Sequence, residues 1–162
     1  MKTHPIMAAL ACALLSTSAL AALNLQRTTT LSDSSGGSIS ISTSGTIDVP
    51  GTDTTSQVAL TNFHPHDNAT AVVNGSLTRT HERSNESVSN VYNGSVTLTG
   101  TDKDGKPVND SLTLQNLEIV RSDDGPVFSG TIVLNGHSIE AAQMPDAVKH
   151  LLHRVLRLFE FG

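Results

Sequence analysis

The sequence predicts a mainly β fold: a curved antiparallel β-meander or half-barrel, built from an internal duplication, with one C-terminal amphipathic helix packed on its core face. Three observations predict it. A pattern of small polar residue, glycine, Ser or Thr, then an apolar residue recurs as Ser44-Gly45-Thr46-Ile47, Asn74-Gly75-Ser76-Leu77, Asn93-Gly94-Ser95-Val96 and Ser129-Gly130-Thr131-Ile132. Between and beyond these copies, apolar residues alternate with Ser and Thr, the period-2 signature of strands with one solvated face. Only the end of the chain switches to helical spacing.

The duplication sets the domain plan. Residues 44–53 match 93–102, residues 56–63 match 110–119, and residues 72–80 match 127–135, in the same order. Extra turn residues from Lys103 to Asn109 account for the changing offset. The halves run over about 39–80 and 88–135. Each pattern glycine is placed inside a strand. Asn-Gly is a strong hairpin signal, but only Val127 and Phe128 separate the turn Asp123-Asp124-Gly125-Pro126 from Ser129-Gly130. That is too short for a hairpin arm. Alternation then puts Tyr92, Gly94, Val96 and Leu98 on one face, with Val73, Gly75 and Leu77, and Phe128, Gly130, Ile132 and Leu134. Glycine on a core face marks a bend or close packing.

Residues 1–21 have the form of a secretory signal. Lys2 is the positive start, Ile6 to Leu15 is the apolar run, and Ala19-Leu20-Ala21 is a small-x-small cleavage site. Cleavage leaves one domain over 22–162. It carries nine Lys and Arg against fifteen Asp and Glu, since Lys2 leaves and the signal has no acids. That balance disfavours nucleic acid as a partner. The single cysteine, Cys12, lies within the signal, so stability is expected from the core alone. The expected location is periplasmic or secreted.

The elements follow in order. Leu23 to Leu31 reads as a first strand, with a flexible turn at Ser34 to Ser38. Ile39, Ile41, Ile47 and Val49 carry the next strand, ended by Pro50-Gly51. Val58 and Leu60 continue, and the inward phase then jumps to Phe63. Leu112 and Leu114, then Leu117 and Ile119, repeat the jump, which predicts a β-bulge at Asn62 and at Asn116. Ala71 to Thr80 is a strand, with His81 to Glu86 a turn or solvated extension. Val88 to Thr99, Asp110 to Val120 and Pro126 to Asn135 complete the strong strands. Thr101 to Asn109 and Arg121 to Gly125 are turns, and Gly136 to Glu140 is a last short piece. Typical strand lengths make six to nine strands in all. A helix over about 145–160 places Val148, Leu151, Leu152, Val155, Leu156 and Phe159 on one side. Lys149, His150, His153, Arg154, Arg157 and Glu160 lie opposite. A one-layer sheet needs such a cover. A membrane interface and a dimer contact are the other uses of that apolar side.

Five features could carry chemistry. His64, His66 and Asp67, held by Pro65, offer nitrogen and oxygen ligands suited to Zn, Ni or Cu. His81, His137 and Glu82 are the candidate completing ligands, though their spacing matches no metal motif. His150 and His153 share a helix face, but Lys149 and Arg154 flank them and disfavour a cation. Asp102-Lys-Asp104-Gly105 starts like a calcium loop without the later ligands. Asn68, Asn74, Asn85, Asn93 and Asn109 form Asn-x-Ser/Thr sequons. Leu156 to Phe161 alternates like the last strand of an outer-membrane barrel, but the other strands lack lipid-facing apolar residues and aromatic girdles. No nucleophile elbow, phosphate loop or His-Glu-x-x-His motif is present. The resulting expectation is an exported, non-catalytic binding or structural module of the envelope with no cofactor. Its expected partners are an apolar ligand or lipid held on the core face under the helix, or an envelope component. Metal binding at the His64 loop and hydrolysis at a site assembled in space are the alternatives.

Overall fold

The structure is a computed structural model that describes residues 23–47, 51–64, 70–101 and 104–161. The expected signal, its cleavage point and Cys12 lie outside the described residues, as do His66, Asp67 and Asn68. Among the described residues, eight strands form one antiparallel sheet in strict chain order. They are β1 (Leu23–Ser32), β2 (Ser38–Ile47), β3 (Thr52–Phe63), β4 (Val72–Arg83), β5 (Val88–Thr101), β6 (Pro107–Ser122), β7 (Gly125–Leu134) and β8 (His137–Glu140). β1 and β8 are the open edges. A helix, α1 (Asp146–Leu156), follows, continued by a 3-10 turn over Arg157–Phe161. The predicted class, a meander with one C-terminal helix, is the observed one.

Alternation builds the core. Ile41, Val58, Leu77, Gly94, Leu114, Ile132 and Ile139 form one row across the sheet. Ile39, Leu60, Gly75, Val96, Leu112 and Leu134 form the next. Their larger side chains join one apolar cluster with Ala141, Met144, Val148, Leu152 and Phe159 from the C-terminal segment. α1 therefore covers the core face, as the sequence predicts. Leu151 alone of its apolar series faces out, at 36% exposure. The helix begins where Pro145 accepts hydrogen bonds from the amides of Val148 and Lys149. Asp146 sits in its first turn, the favourable end for a carboxylate.

All four pattern glycines lie inside strands. Gly75 and Gly94 show why glycine is needed. Their φ angles are +128° and +119°. A Cβ on Gly75 would overlap the Ser95 carbonyl oxygen, and one on Gly94 would overlap that of Ser76. β4 and β5 thus approach each other at two reciprocal points where no side chain fits.

Both predicted bulges are present. The register of β3 slips between Leu60 and Phe63, and that of β6 between Gln115 and Glu118. Asn62 and Asn116 take left-handed φ angles of 47° and 48°, a conformation that Asn tolerates better than most residues. Each extra residue leaves an amide off the ladder, and an asparagine from the glycine pattern takes it up. Asn62 donates to Asn74 Oδ1 at 2.8 Å, and Asn116 donates to Asn93 Oδ1 at 2.7 Å. Two of the five sequon asparagines are thus spent on the backbone. The first bulge draws its partner from the following strand and the second from the preceding one. The matched segments run in tandem, whereas these bonds run as if β4 and β5 were exchanged by a two-fold.

β4 runs on through Arg83, the solvated extension of the two alternatives offered for that stretch. Other boundaries differ from expectation. β6 spans Pro107–Ser122, because residues read as polar turns keep their ladder pairings. Asn135, expected at a strand end, is left-handed at φ 50° and forms with Gly136 the two-residue turn between β7 and β8. The Ser34–Ser38 turn is pinned rather than loose. Asp33 accepts the amides of Ser35 and Gly37 on Oδ1 and the amide of His64 on Oδ2, each at 2.8 Å.

Candidate functional site

The core face changes character along its strands. Beyond the apolar rows comes Thr43, Ser56, Arg79, Tyr92 and Leu117. Then comes Thr54, His81, Asn90, Ile119 and Phe128, and last Thr52, Arg83, Val88, Arg121 and Pro126. The same alternation that aims Leu77 inward aims Arg79 and His81 inward. The phase of Ile119 does the same for Arg121.

Between these rows and α1 lies a cavity of about 710 Å³. Its floor is sheet and its roof is helix. Apolar walls come from Val88, Ile119, Phe128, Met144, Leu152 and Leu156, with Tyr92 on the floor. The polar part is cationic. Among the described residues, Arg79, Arg121, Lys149 and Arg157 line it against one carboxylate, Glu160, and His81, His150 and His153 complete it. Four of the chain's ten Lys and Arg thus converge on one cavity of an acidic protein.

Two of those cations are already paired. Lys149 Nζ contacts Asp146 at 2.9 Å, and Arg157 Nε contacts Glu160 at 3.6 Å. Both pairs are exposed and contribute little to stability. Arg79 and Arg121 have no ion pair among the described residues. Arg79 donates from Nη2 to Ser56 Oγ at 3.4 Å, and Ser56, 1% exposed, also meets Thr43 Oγ1 at 3.0 Å. The guanidinium lies 5.4 Å from the Phe159 ring centroid, a cation–π distance. Phe159 packs tilted against Tyr92, with ring centroids 5.6 Å apart and 60° between the planes. Arg79 Nε has no solvent access and no hydrogen-bond partner. Burial pushes the Tyr92 phenol up from its ordinary pKa, and the charges of Arg79 and Arg121 oppose that rise. His81 Nδ1 and Asn90 Oδ1 are 2.9 Å apart, which fixes the ring on the cavity floor.

His64, from the sequence-predicted ligand loop, lies elsewhere. His64 is the described member of the His64, His66 and Asp67 set, and its Nδ1 stands 3.0 Å from Asp33 Oδ2. The His64 amide, first, then its ring and the Gly37 and Ser35 amides hold the Asp33 carboxyl well below the usual carboxylate range, against desolvation. His81 pairs with Thr54, nine residues along β3 from Phe63, roughly 30 Å at strand rise. Glu82 is its neighbour, and His137 starts β8, five strands from β3. None of the three sits beside His64. Among the described residues no group of three metal-ligating side chains occurs. His150 and His153, read from sequence as a solvated face, are exposed and rim the cavity.

Sequence reasoning missed Arg79 and Arg121. The signal was there: each continues an apolar alternation in phase, Leu77-x-Arg79 and Ile119-x-Arg121. A charge in the inward phase of a strand is informative because that phase is otherwise apolar. No family model, curated protein or solved structure matches the chain.

Proposed function

We propose that this protein is a non-catalytic binding module of the cell envelope, periplasmic or secreted, that holds an apolar ligand or lipid between α1 and the core face of the sheet. One observation carries the reading. The helix covers the sheet without filling the space beneath it, and the space left is walled by Ile119, Phe128, Met144, Leu152 and Leu156. Its volume of about 710 Å³ falls within the ~300–1,000 Å³ of small-molecule sites, which are mostly apolar with a few placed polar groups. Export rests on the signal-like residues 1–21. Burial of an acyl chain there contributes about 0.8 kcal/mol per CH₂.

The test is titration of the mature chain with N-phenyl-1-naphthylamine, an uncharged apolar dye that brightens when it leaves water. The expected result is saturable binding at one dye per chain. Leu156→Trp, which fills the cavity from its roof, should weaken that binding at least tenfold while thermal melting shows the variant folded. Non-saturable brightening, or equal binding by the filled variant, would overturn the reading.

A further inference from the structure

The cavity is not merely apolar. We infer that its ligand is a single-chain amphiphile with an anionic head, of the fatty-acid type, whose head is held by Arg79 and Arg121 while its chain runs between α1 and β5–β7. This rests on the binding reading above and names the ligand class for that site.

Three observations converge on it. First, the charge is one-sided. Lys149 and Arg157 are answered by Asp146 and Glu160, and the two guanidiniums on the sheet floor have no carboxylate partner among the described residues. Second, Arg79 is partly withdrawn from water, with Nε inaccessible and unpaired. A buried donor without an acceptor is costly, and more so when the group is charged. An anionic oxygen entering beside Ser56 and Tyr92 would accept from the guanidinium. Arg79 Cζ lies 5.4 Å from the Phe159 ring centroid and Nη2 donates to Ser56, so the group is held in place before a ligand arrives. Third, the cavity offers cationic and apolar wall together, as an amphiphile requires. Arg79 sits with Tyr92 on one row, and Arg121 lies two rows further along β6. Between them, Ile119 and Phe128 continue as an apolar strip towards Met144 and Leu152. A neutral lipid would leave both guanidiniums unanswered. A cationic amphiphile would be repelled by them.

Isothermal titration of the mature chain at pH 8 tests this with three twelve-carbon probes kept below their micelle concentrations: laurate, 1-dodecanol and dodecyltrimethylammonium. The expected order is laurate at least tenfold tighter than dodecanol, with dodecyltrimethylammonium weakest. Arg121→Gln, at an exposed position, should weaken laurate about tenfold, and Arg79→Gln with Arg121→Gln about a hundredfold, because each substitution removes a charge-assisted hydrogen bond. Dodecanol affinity should not move in either variant, which also shows that the cavity is still formed. Equal binding of laurate and dodecanol would overturn the anionic-head inference and leave the apolar-ligand reading standing. Binding of none of the three would overturn both. A laurate preference that survives the double substitution would remove Arg79 and Arg121 from the role given them.

Discussion

Gly94→Ala tests whether β4 and β5 are locked by close approach. Two costs combine. At φ +119° an alanine is strained by ~1–3 kcal/mol. Its Cβ would also overlap the Ser76 carbonyl oxygen and stand 3.0 Å from the Leu77 Cα. Both are backbone atoms of a strand packed on each side, so they yield only if β4 and β5 part. Overpacking of this kind costs a further ~1–3 kcal/mol. The total is about 2–6 kcal/mol, a large share of the ~5–15 kcal/mol that holds a typical domain. Gly105→Ala is the internal control. Gly105 has φ +78°, but a Cβ there meets nothing within 4 Å, so only strain of about 1–2 kcal/mol remains. Urea unfolding of both variants reads the difference, which should be about 2 kcal/mol or more. Gly75→Ala should resemble Gly94→Ala, because the contacts are reciprocal. The double variant should cost less than the sum, since one separation of the strands relieves both clashes. Equal costs for Gly94→Ala and Gly105→Ala would refute the close-approach reasoning, and strict additivity would refute the shared contact.

Three further outcomes are expected. Asn93→Ala removes the acceptor for the Asn116 amide and should cost about 0.5–1.5 kcal/mol in urea unfolding. Asn93→Asp, which keeps an acceptor oxygen, should recover most of it, and a silent Asn93→Ala would mean that the bulge holds without its clamp. Leu152→Ala, at a position 3% exposed, should cost ~2–5 kcal/mol, whereas Leu151→Ala should stay within about 0.5 kcal/mol; equal effects would contradict the way α1 covers the sheet. The Asp33 carboxyl titrates below its unfolded value of 3.8 in the folded chain. Its contribution is therefore full above pH ~4 and lost as pH falls through the lowered folded value. Asp33→Asn should accordingly be less stable than the parent at pH 7, with the gap closing below pH ~4 in melting experiments, and a gap that widens in acid would contradict the assigned bonds.

Strand identity was legible because one face of the sheet is buried and the other is wet. That difference writes itself as alternation in β2 to β7. The bulges were legible for the same reason: an inserted residue flips the inward phase, and Leu60 to Phe63 and Leu114 to Leu117 show the flip. The helix was legible from its period, and its docking from the lack of any other cover for the core face. The cavity was not legible. Whether α1 fills the space beneath it depends on the distance between helix and sheet, which no local pattern encodes. Arg79, His81 and Arg121 were hidden by composition. Each opens a polar run that resembles a turn, while the ladder carries on through Arg83 and Ser122. The partner of His64 was hidden by distance in the chain, since Asp33 lies 31 positions earlier.

The proposal of an anionic acyl ligand under α1 is tested most directly by native mass spectrometry of the protein purified from its own host, before and after denaturation. The expected result is one added mass per chain that is released on unfolding and behaves in negative-ion mode as a carboxylate or other anionic amphiphile. A chain that carries no added mass, or only a metal-sized one, would contradict it.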